Sequence, residues 1–256
     1  MLKIATWNVN SIRVRLPQVL DWLAVAAPDI VALQETKIVN ELFPVEEFRQ
    51  AGYQTICNGQ KTYNGVAIIS KTPASDVVTD LPTFPDPQKR LLHARYGDIA
   101  VVNLYIPNGM AVGSDKYAYK LDWLTQLQQF LYERLGQMRL LVVLGDFNIA
   151  PADEDVHDPA AWQGSVLVSP AERAHFFQFI DKGLVDCYRL FKQEVHSFTW
   201  WDYRAAGFAR NHGLRIDHIL ASRQLAEHCK ICRIDTAPRK LERPSDHAPV
   251  IAVFDL

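Results

Sequence analysis

The stretch LLVVLGDFN (140–148) places an apolar run directly before a carboxylate and an amide. A short apolar run with β-branched residues predicts a buried strand, and its polar end predicts side chains presented at the rim of a sheet. The same form recurs in KIATWNVN (3–10), DIVALQE (29–35), IAVVNLYIPN (99–108) and LRIDHIL (214–220). This recurrence predicts a sheet-based fold with polar groups gathered at one rim.

Helical patterns lie between these strands. Apolar residues at helical spacing predict one helix over about 16–25 and another over about 116–135. A third is predicted over about 170–182, because Ser169 and Glu172 form a capping box with proline at the first helical position. Strands and helices mixed without strict alternation favour an α+β sandwich of two packed sheets with helices outside.

Turn signals and one gap complete the pattern. Asn64-Gly65 and Gly97-Asp98 are typical of hairpins between short strands. The stretch 150–169 has no regular pattern, and a loop of that length inside a compact domain is usually functional or disordered. Because no linker or composition break divides the chain, we expect one domain over residues 1–256 with an active-site loop at 150–169.

The composition, with 48% hydrophobic and 22% charged residues among 256, is ordinary for a globular enzyme. No stretch approaches the roughly 18 consecutive apolar residues of a membrane span. The chain opens on a strand pattern and not on a signal peptide, so we expect a cytoplasmic protein, and a monomer because no exposed apolar helix stands out. A net charge of −2 argues against wholesale binding to a polyanion but permits a local basic surface.

The four cysteines predict free thiols, because they are too few for a disulfide framework in a chain of this length. Cys229 and Cys232 have the CxxC spacing of zinc and redox sites. No second CxxC or HxxxH pattern completes a set of zinc ligands, so we expect these two residues to be thiols within a strand.

Polar pairs at the strand ends are candidates for a metal site. Alternation along a strand predicts that the members of each pair share a face: Asn8 with Asn10, Asp146 with Asn148, and Arg215 with Asp217. Glu35 interrupts an apolar strand end, where a carboxylate needs an ion-pair partner, a metal or solvent. With Asn8, Asp146 or Asp246 near by it would suit Mg²⁺ or Mn²⁺, which prefer hard oxygen ligands. A simple ion pair with Lys37 is the alternative.

His247 is a candidate for phosphate chemistry. A histidine near a carboxylate can hold a proton at neutral pH and stabilise developing negative charge. Adjacent side chains diverge in an extended segment, so Asp217 is the better partner for His247, with Asp246 turned toward the metal. Tyr105 and Asn108 would add hydrogen-bond donors at the same rim.

Aromatic and basic residues near the C-terminus are open to two interpretations. Trp200 and its neighbour Trp201 are either core aromatics or a stacking platform, with Arg204 as a clamp on a nucleic-acid backbone. Arg215 belongs to the same group of basic residues and would add a DNA contact.

A series of short motifs spans the chain: WNVNS (7–11), LQETK (33–37), GQKTYNGVAI (59–68), YIPNG (105–109), GDFNIAP (145–151), SPAER (169–173), FTWWDYR (198–204), LRIDHIL (214–220) and PSDHAPV (244–250). Together and in this order they resemble the exonuclease III family of Mg²⁺-dependent DNA-repair endonucleases and exonucleases. The resemblance implies a four-layer αββα sandwich, with two mixed β-sheets between layers of helices, related to deoxyribonuclease I.

The resemblance also implies a role for each matching residue at the metal. Glu35 would be the principal ligand of Mg²⁺, with Mn²⁺ as an alternative, and Asn8, Asn10 and Asp246 would lie close by. Asp146 would orient or deprotonate the attacking water, while the choice of general base between Asp146 and Tyr105 stays open, as does the number of metals.

The remaining roles implied by the resemblance concern the substrate. Asn148 would position the water or the phosphate, and Tyr105, Asn108 and an Asp217-bound His247 would contact the phosphate. A pocket for a flipped-out abasic sugar would be walled by Trp200, Leu214 and Ile216. The expected substrates are abasic sites in duplex DNA, blocked 3′ ends and 3′-terminal nucleotides, with cleavage leaving a 3′-hydroxyl.

Leu167 departs from the family pattern, which usually has a small residue such as glycine or serine at this position. A larger side chain would narrow the sugar pocket, and this predicts a shift from internal abasic-site incision toward 3′-end processing. The alternative is that Leu167 packs aside and incision is normal.

Two other functions are compatible with parts of the sequence. A hydrolase of the same fold acting on inositol phosphates, sphingomyelin or RNA would keep Glu35, Asp146, Asn148 and His247 without needing the tryptophan pair or the basic loops. A non-catalytic DNA-binding module with a decayed site is a third hypothesis, and the intact set of polar residues argues against it.

Overall fold

A computed structural model describes residues 1–256. The strands are β1 Leu2–Asn8, β2 Ile30–Gln34, β3 Gln54–Asn58, β4 Val66–Ser70, β5 Ser75–Val78, β6 Leu91–Tyr96, β7 Ile99–Tyr105, β8 Leu140–Asp146, β9 Leu184–Asp186, β10 Trp200–Trp201, β11 Gly213–Leu214, β12 Asp217–Ser222, β13 Cys229–Ile234 and β14 Val250–Phe254. The α-helices are α1 Ile12–Ala26, α2 Val45–Gln50, α3 Asp115–Gln137, α4 Pro159–Trp162, α5 Pro170–Asp181 and α6 Arg223–Ala226. Short 3₁₀ helices occupy Asn40–Leu42, Asp153–Asp155, Cys187–Leu190, Arg204–Ala206 and Ala237–Lys240.

Most strands belong to two six-stranded mixed sheets. The first has the order β13-β14-β1-β2-β4-β3 and the second has the order β5-β6-β7-β8-β12-β9. β1 is parallel to β2, and β7 is parallel to β8, whereas the other pairs within these sheets are antiparallel. The prediction of two mixed sheets is confirmed.

Side-chain alternation along the strands fills the apolar layers of the fold. In the second sheet Val142 faces the layer between the sheets, whereas Val143 faces the core formed with α3 and α5. On the outer face of the first sheet, Ala5 packs in one cluster with Trp22 of α1. Full burial of a valine contributes about 1.5–3 kcal/mol, so these layers favour the predicted four-layer αββα sandwich.

A buried polar link joins the two sheets. Asn103 of β7 donates hydrogen bonds to the carbonyl oxygens of Leu33 (2.9 Å) and Ala67 (2.8 Å), and its Oδ1 accepts one from Gln34 (2.8 Å). Leaving a buried amide unpaired costs about 1–3 kcal/mol, so these bonds favour one alignment of the sheets over others.

The register of the strands brings their polar ends to a common rim. Asn8 ends β1 opposite the last residue of the parallel strand β2, and Tyr105 ends β7 opposite Asp146 of β8. The antiparallel strand β12 begins at the same level, with Asp217 opposite Asp146. Gly145 is required for this packing, because a Cβ there would lie 2.0 Å from the carbonyl oxygen of Leu104.

The predicted helices are present with small differences in their bounds. α1 begins earlier than predicted, since Arg13 and Arg15 in its first turn interrupt the apolar pattern. α5 is capped as predicted: Ser169 Oγ accepts from the Glu172 amide and Glu172 accepts from the Ser169 amide. The hairpins β3–β4 and β6–β7 are both antiparallel, as predicted.

The stretch 150–169 is more regular than predicted. It contains a 3₁₀ helix and α4, and Val156 forms a β-bridge with Leu214. The sequence pattern misses these elements, because single-turn helices are too short to give a periodic pattern, and the active-site loop at 150–169 stays a prediction.

The cysteines bear out a further expectation. All four cysteines are free, and Cys229 and Cys232 lie in β13, so the prediction of strand thiols is confirmed. None of the helices combines the length and the apolar character needed to cross a bilayer.

Candidate active site

Asn8 links two carboxylates across the sandwich. At the end of β1, its side-chain amide donates to Glu35 Oε1 and to Asp146 Oδ2, each over 2.9 Å. Its oxygen accepts the amide N–H of Asn10 over 3.0 Å. Because Glu35 follows β2 of the first sheet and Asp146 ends β8 of the second, this fully buried amide holds the two sheets' acidic groups together.

Left-handed backbone turns aim the residues that follow the strands. Asn10, Glu35 and Asn148 have φ values of 44°, 50° and 49°. The side chains therefore converge through turns, and strand alternation does not explain the pairing of Asn8 with Asn10 or of Asp146 with Asn148. The left-handed backbone conformation of Glu35 costs about 1–2 kcal/mol of folding free energy relative to the right-handed one. Strain of this kind is common at functional sites.

His247 lies between two aspartates. Its Nδ1 is 2.8 Å from Asp217 Oδ2 and its Nε2 is 3.8 Å from Asp146 Oδ2, and the residue is only 4% exposed. Burial alone would lower the pKa of His247, but the charges of Asp217 and Asp146 outweigh it and raise the pKa to about 10. The site can thus hold an imidazolium that directs its Nε2–H toward the rim.

Asp146 is a buried carboxylate whose side chain is only 1% exposed. Burial raises its pKa to about 7, with opposition from the charge of His247 and reinforcement from the charge of Asp217. Its Oδ1 accepts the amide N–H of Asn148 over 2.9 Å. A carboxylate that titrates near neutral pH, held in one orientation, is suited to take a proton from water.

Asp246 faces away from its neighbour His247. One carboxylate oxygen accepts from Asn10 Nδ2 (2.9 Å) and the other from Trp200 Nε1 (3.0 Å). Burial would raise the pKa of Asp246, but His247 and these donors outweigh it, and the pKa lies below its ordinary value. Asp246 therefore lies beside Asn10, whose side-chain oxygen accepts from Lys37, the ion-pair partner of Glu35. The aspartate that contacts His247 is Asp217.

The residues around Glu35 fit a divalent cation. Glu35, Asp146 and His247 each offer one ligand atom, and these atoms lie within 4.8 Å of one another. The ammonium of Lys37 lies 2.8 Å from Glu35 Oε2 and also donates to the side-chain oxygen of Asn10. The ion pair considered as the alternative for Glu35 is therefore present. Its position also shows that the carboxylate and amide oxygens there accommodate a positive charge.

Asn148, Asn108 and Tyr105 form a second group of donors. Asn148 Nδ2 donates to the carbonyl of Ile106 (3.0 Å), and Asn108 Nδ2 donates to Asn148 Oδ1 (3.2 Å). Burial, with the charges of Glu35 and Asp146, raises the pKa of Tyr105 well above its ordinary value. Tyr105 therefore keeps its hydroxyl proton at neutral pH, which favours Asp146 over Tyr105 as a base.

The predicted pocket residues form an apolar cluster beside this site. Leu167, Leu214 and Ile216 are all buried, and half-buried Trp200 packs against them. Leu167 has a φ of 76°, a backbone conformation that glycine adopts readily and that a branched side chain rarely does. The structure therefore brings all four residues together.

Arg215 requires a correction. It is 1% exposed and pairs with Asp155 (2.6 Å) and Asp186 (2.9 Å), so it cannot contact DNA. The strand is interrupted between β11 and β12, and Arg215 faces His218 instead of sharing a face with Asp217. Arg204 by contrast is exposed, and the ion pair that it forms with Asp202 leaves it at the surface.

Two hydroxyl residues of the site were missed by reasoning from the sequence. Thr199 Oγ1 accepts the amide N–H groups of Ile216 and Asp217, each over 3.0 Å. Ser245 Oγ donates to the carbonyl of Asn8 (2.6 Å) and accepts from the amide of His247 (3.2 Å). Both lie within motifs, but a small hydroxyl that holds backbone has no signal of its own in a single sequence.

A site of paired carboxylates, amides and a histidine on a two-sheet sandwich is that of a phosphoester hydrolase. The model of the Endonuclease/Exonuclease/phosphatase family matches residues 5–247, and the chain belongs to that family. Exodeoxyribonuclease III of Haemophilus influenzae is 35% identical over 99% of this chain and 100% of its own length. The resemblance to the exonuclease III family is thereby confirmed.

Solved structures of similar proteins agree. The 3′ phosphatase NExo from Neisseria, bound to a product DNA hairpin, is 47% identical with a TM-score of 0.98, and each chain covers 100% of the other. An AP endonuclease from Archaeoglobus fulgidus is 41% identical with a TM-score of 0.96, again over 100% of both chains. The prediction of a deoxyribonuclease I-like αββα sandwich is confirmed.

Proposed function

We propose that this protein is a metal-dependent DNA-repair phosphodiesterase of base excision repair that acts on duplex DNA and leaves a 3′-hydroxyl. One observation carries the proposal: His247, held by Asp217, points its free nitrogen toward Asp146, which Asn8 joins to Glu35. An acid, a base and a cation-binding carboxylate thus surround one point. The named activities of the similar exodeoxyribonuclease and AP endonucleases support DNA as the substrate.

The proposed reaction is an in-line attack of water on the phosphorus. Asp146 orients the water and accepts its proton, with Asn148 fixing the Asp146 carboxylate through its backbone amide. Protonated His247 donates to a phosphate oxygen, and Tyr105 and Asn108 add neutral donors. The bond to the 3′-oxygen breaks and that oxygen takes up a proton from solvent, which gives a 3′-hydroxyl together with a 5′-phosphate, or with free phosphate when the substrate is a 3′-phosphate end.

We place Mg²⁺ as the metal, with Mn²⁺ as a substitute, at Glu35 with Asn8, Asn10 and Asp246 around it. Such an ion neutralises charge on the phosphate and on the leaving oxygen. Hard oxygen donors of this kind match Mg²⁺ better than softer metals, which prefer nitrogen or sulfur ligands. Lys37 would release Glu35 when the metal binds, because the two cations compete for the same carboxylate.

Leu167 supports a preference for 3′ ends. Its side chain is buried against Leu214 and Ile216, in the volume proposed to receive an extruded abasic sugar with Trp200 as a further wall. A sugar within an intact strand has to enter this pocket, whereas a terminal 3′-phosphate only has to reach the rim. We therefore propose 3′-phosphate and 3′-blocked-end removal as the stronger activity and internal abasic-site incision as the weaker one.

The DNA would lie across the rim and over the cleft beside Tyr105. This cleft has a volume of about 780 Å³ and is lined by polar residues that include Asn64, Arg90 and Lys116. Exposed Arg204 is also proposed to contact the DNA backbone. We propose that residues 1–256 act as one catalytic unit, since both sheets supply residues to the site, and that the protein is a monomer.

The test is a substrate panel with purified protein in Mg²⁺, in Mn²⁺ and in EDTA. The panel contains a duplex with a 3′-phosphate at a nick, a duplex with a 3′-phosphoglycolate at a nick, and a duplex with an internal tetrahydrofuran abasic analogue. We expect metal-dependent cleavage of the two nicked substrates above the third. Activity on inositol phosphates, sphingomyelin or RNA, with none on DNA, would contradict the proposal and identify the protein as another hydrolase of the same fold. If the protein binds DNA but cleaves none of the substrates in either metal, the hypothesis of a non-catalytic DNA-binding module would be supported instead.

A further inference from the structure

A buried lysine lies directly behind the phosphate-facing residues. Lys120 of α3 and Glu172 of α5 form an ion pair whose side chains are both 0% exposed. A fully buried lysine is rare in proteins, because desolvation of its charge is costly. Replacing such a pair by apolar residues is often neutral or stabilising, so stability alone is a weak reason for its presence.

The three ammonium hydrogens of Lys120 have three protein acceptors. Nζ donates to the main-chain carbonyl oxygens of Asn148 (2.7 Å) and Asn108 (3.2 Å) and to Glu172 Oε1. The two carbonyls belong to separate turns, one after β8 and one after β7. Lys120 thus fixes the distance between the two residues whose side-chain amides bond to each other over 3.2 Å at the rim.

Glu172 anchors the lysine to the pocket wall. Its Oε1 also accepts the amide N–H of Leu167 (3.0 Å), and its Oε2 accepts from the amide and the hydroxyl of Ser169 (3.1 and 2.6 Å). The same Ser169 hydroxyl shares a 2.6 Å hydrogen bond with Tyr117 of α3. These hydrogen bonds fix both carboxylate oxygens of Glu172. The ion pair with Glu172 in turn fixes the ammonium of Lys120.

We propose that Lys120 and Glu172 are a positioning pair that sets the separation and orientation of Asn108 and Asn148 toward the scissile phosphate. The inference rests on the proposed function, because it assigns those two residues to the phosphate. Lys120 acts through the two asparagines and does not touch the substrate, since a layer of main chain lies between its ammonium and the rim. A misplacement of about 1 Å in such a site lowers the rate of the chemical step about 100-fold.

The test uses the neutral double variant Lys120→Met/Glu172→Gln, which leaves neither a buried positive nor a buried negative charge unpaired. Removal of a 3′-phosphate from nicked duplex DNA is measured at saturating Mg²⁺, with the folded fraction taken from circular dichroism. We expect kcat to fall about 10- to 100-fold while KM changes less than about three-fold, because the misplaced amides act in the transition state. A kcat within about two-fold of the wild type would overturn the proposal.

Asp186→Asn is the matched control. It removes one partner of the buried Arg215, which keeps its second partner Asp155 and makes no hydrogen bond to Asn108 or Asn148. We expect it to lower the thermal midpoint without changing kcat per folded molecule, and an equal loss of kcat in this variant would overturn the positioning role. If the double variant does not fold, Lys120→Arg carries the test, because it keeps the buried charge pair but moves the donors to the two carbonyls. A smaller fall in kcat at unchanged KM is then expected, and an unchanged kcat overturns the proposal.

The wild-type protein separates this proposal from the one on which it rests. If the wild type does not cleave DNA in Mg²⁺ or Mn²⁺, the proposed function fails. If the wild type cleaves and the variants match it, only the positioning pair fails.

Discussion

His247 and Asp217 are joined by a 2.8 Å hydrogen bond from Nδ1 to Oδ2, and this bond decides how the imidazole faces the rim. Asp217 begins β12 directly opposite Asp146, so the strand register places the two carboxylates on either side of one histidine. Without Asp217 the ring could rotate, and burial would favour the neutral imidazole. The bond therefore controls both the orientation and the charge of His247.

Asp217→Asn tests this relationship. We expect kcat to fall about 10²- to 10⁴-fold, by analogy with the loss of an aspartate that orients a catalytic histidine. The loss has a pH signature. Wild-type His247, with a pKa of about 10, stays protonated between pH 6 and pH 9, whereas in the variant the pKa falls because burial remains and the Asp217 charge is gone. The defect should therefore grow as the pH rises, and parallel pH profiles would contradict this account.

Glu35→Gln tests the metal site against the ion-pair alternative. The amide keeps the shape of the side chain but loses the charge that attracts a divalent cation, so we expect metal-dependent cleavage to fall at least about 100-fold and Mg²⁺ binding to weaken in calorimetry. Lys37→Met is the matched variant. It removes the ammonium that lies 2.8 Å from Glu35 and should keep cleavage at a lower Mg²⁺ requirement. Loss of activity in Lys37→Met but not in Glu35→Gln would reverse the assignment.

Leu167→Gly tests the proposed preference for 3′ ends. The change opens the cluster formed with Leu214 and Ile216, and we expect the ratio of tetrahydrofuran incision to 3′-phosphate removal to rise about ten-fold or more. Glycine also accepts the φ of 76° without strain, a gain of about 1–2 kcal/mol that offsets part of the lost burial. Val168→Ala, in the same cluster, should leave the ratio unchanged. Equal ratios in all three proteins would mean that Leu167 does not restrict the pocket.

The fold was predictable because each strand carries its own signal. A β-branched apolar run with a polar end, as in LLVVLGDFN, is a local pattern, and the capping box at Ser169 is a local pattern too. Single-turn elements such as α4 gave no such signal, because about one turn is too short to show a periodic apolar pattern.

The roles of site residues that lie in a sequence motif were predictable. The roles of residues whose partners are distant in the sequence were not. The pairing of His247 with Asp217 followed from the divergence of adjacent side chains. Arg215 was misassigned because its partners Asp155 and Asp186 are distant in the sequence and no periodicity marks them. Lys120 looks like any surface lysine until α3 is packed on the turns at Asn108 and Asn148.

His218 gives a prediction about stability that is independent of catalysis. It is 1% exposed, with Nε2 2.9 Å from the carbonyl of Ile149 and Nδ1 3.0 Å from Nη1 of Arg215. An arginine always donates, so Nδ1 has to accept and the ring has to be neutral. Burial and the charge of Arg215 lower the pKa of His218 to about 3.

The consequence is a loss of stability on acidification. The folded-state pKa of His218 is below the unfolded value of about 6.5, so its stabilising contribution is complete above that pH and is lost as the pH falls toward 3. Between pH 7 and pH 5 the loss is about 2 kcal/mol. Urea unfolding of the wild type and of His218→Gln at both pH values isolates this group, because the other titrating residues are common to both proteins. We expect the wild type to lose about 2 kcal/mol more than the variant over this range, and equal losses would mean that His218 becomes protonated without unfolding the protein.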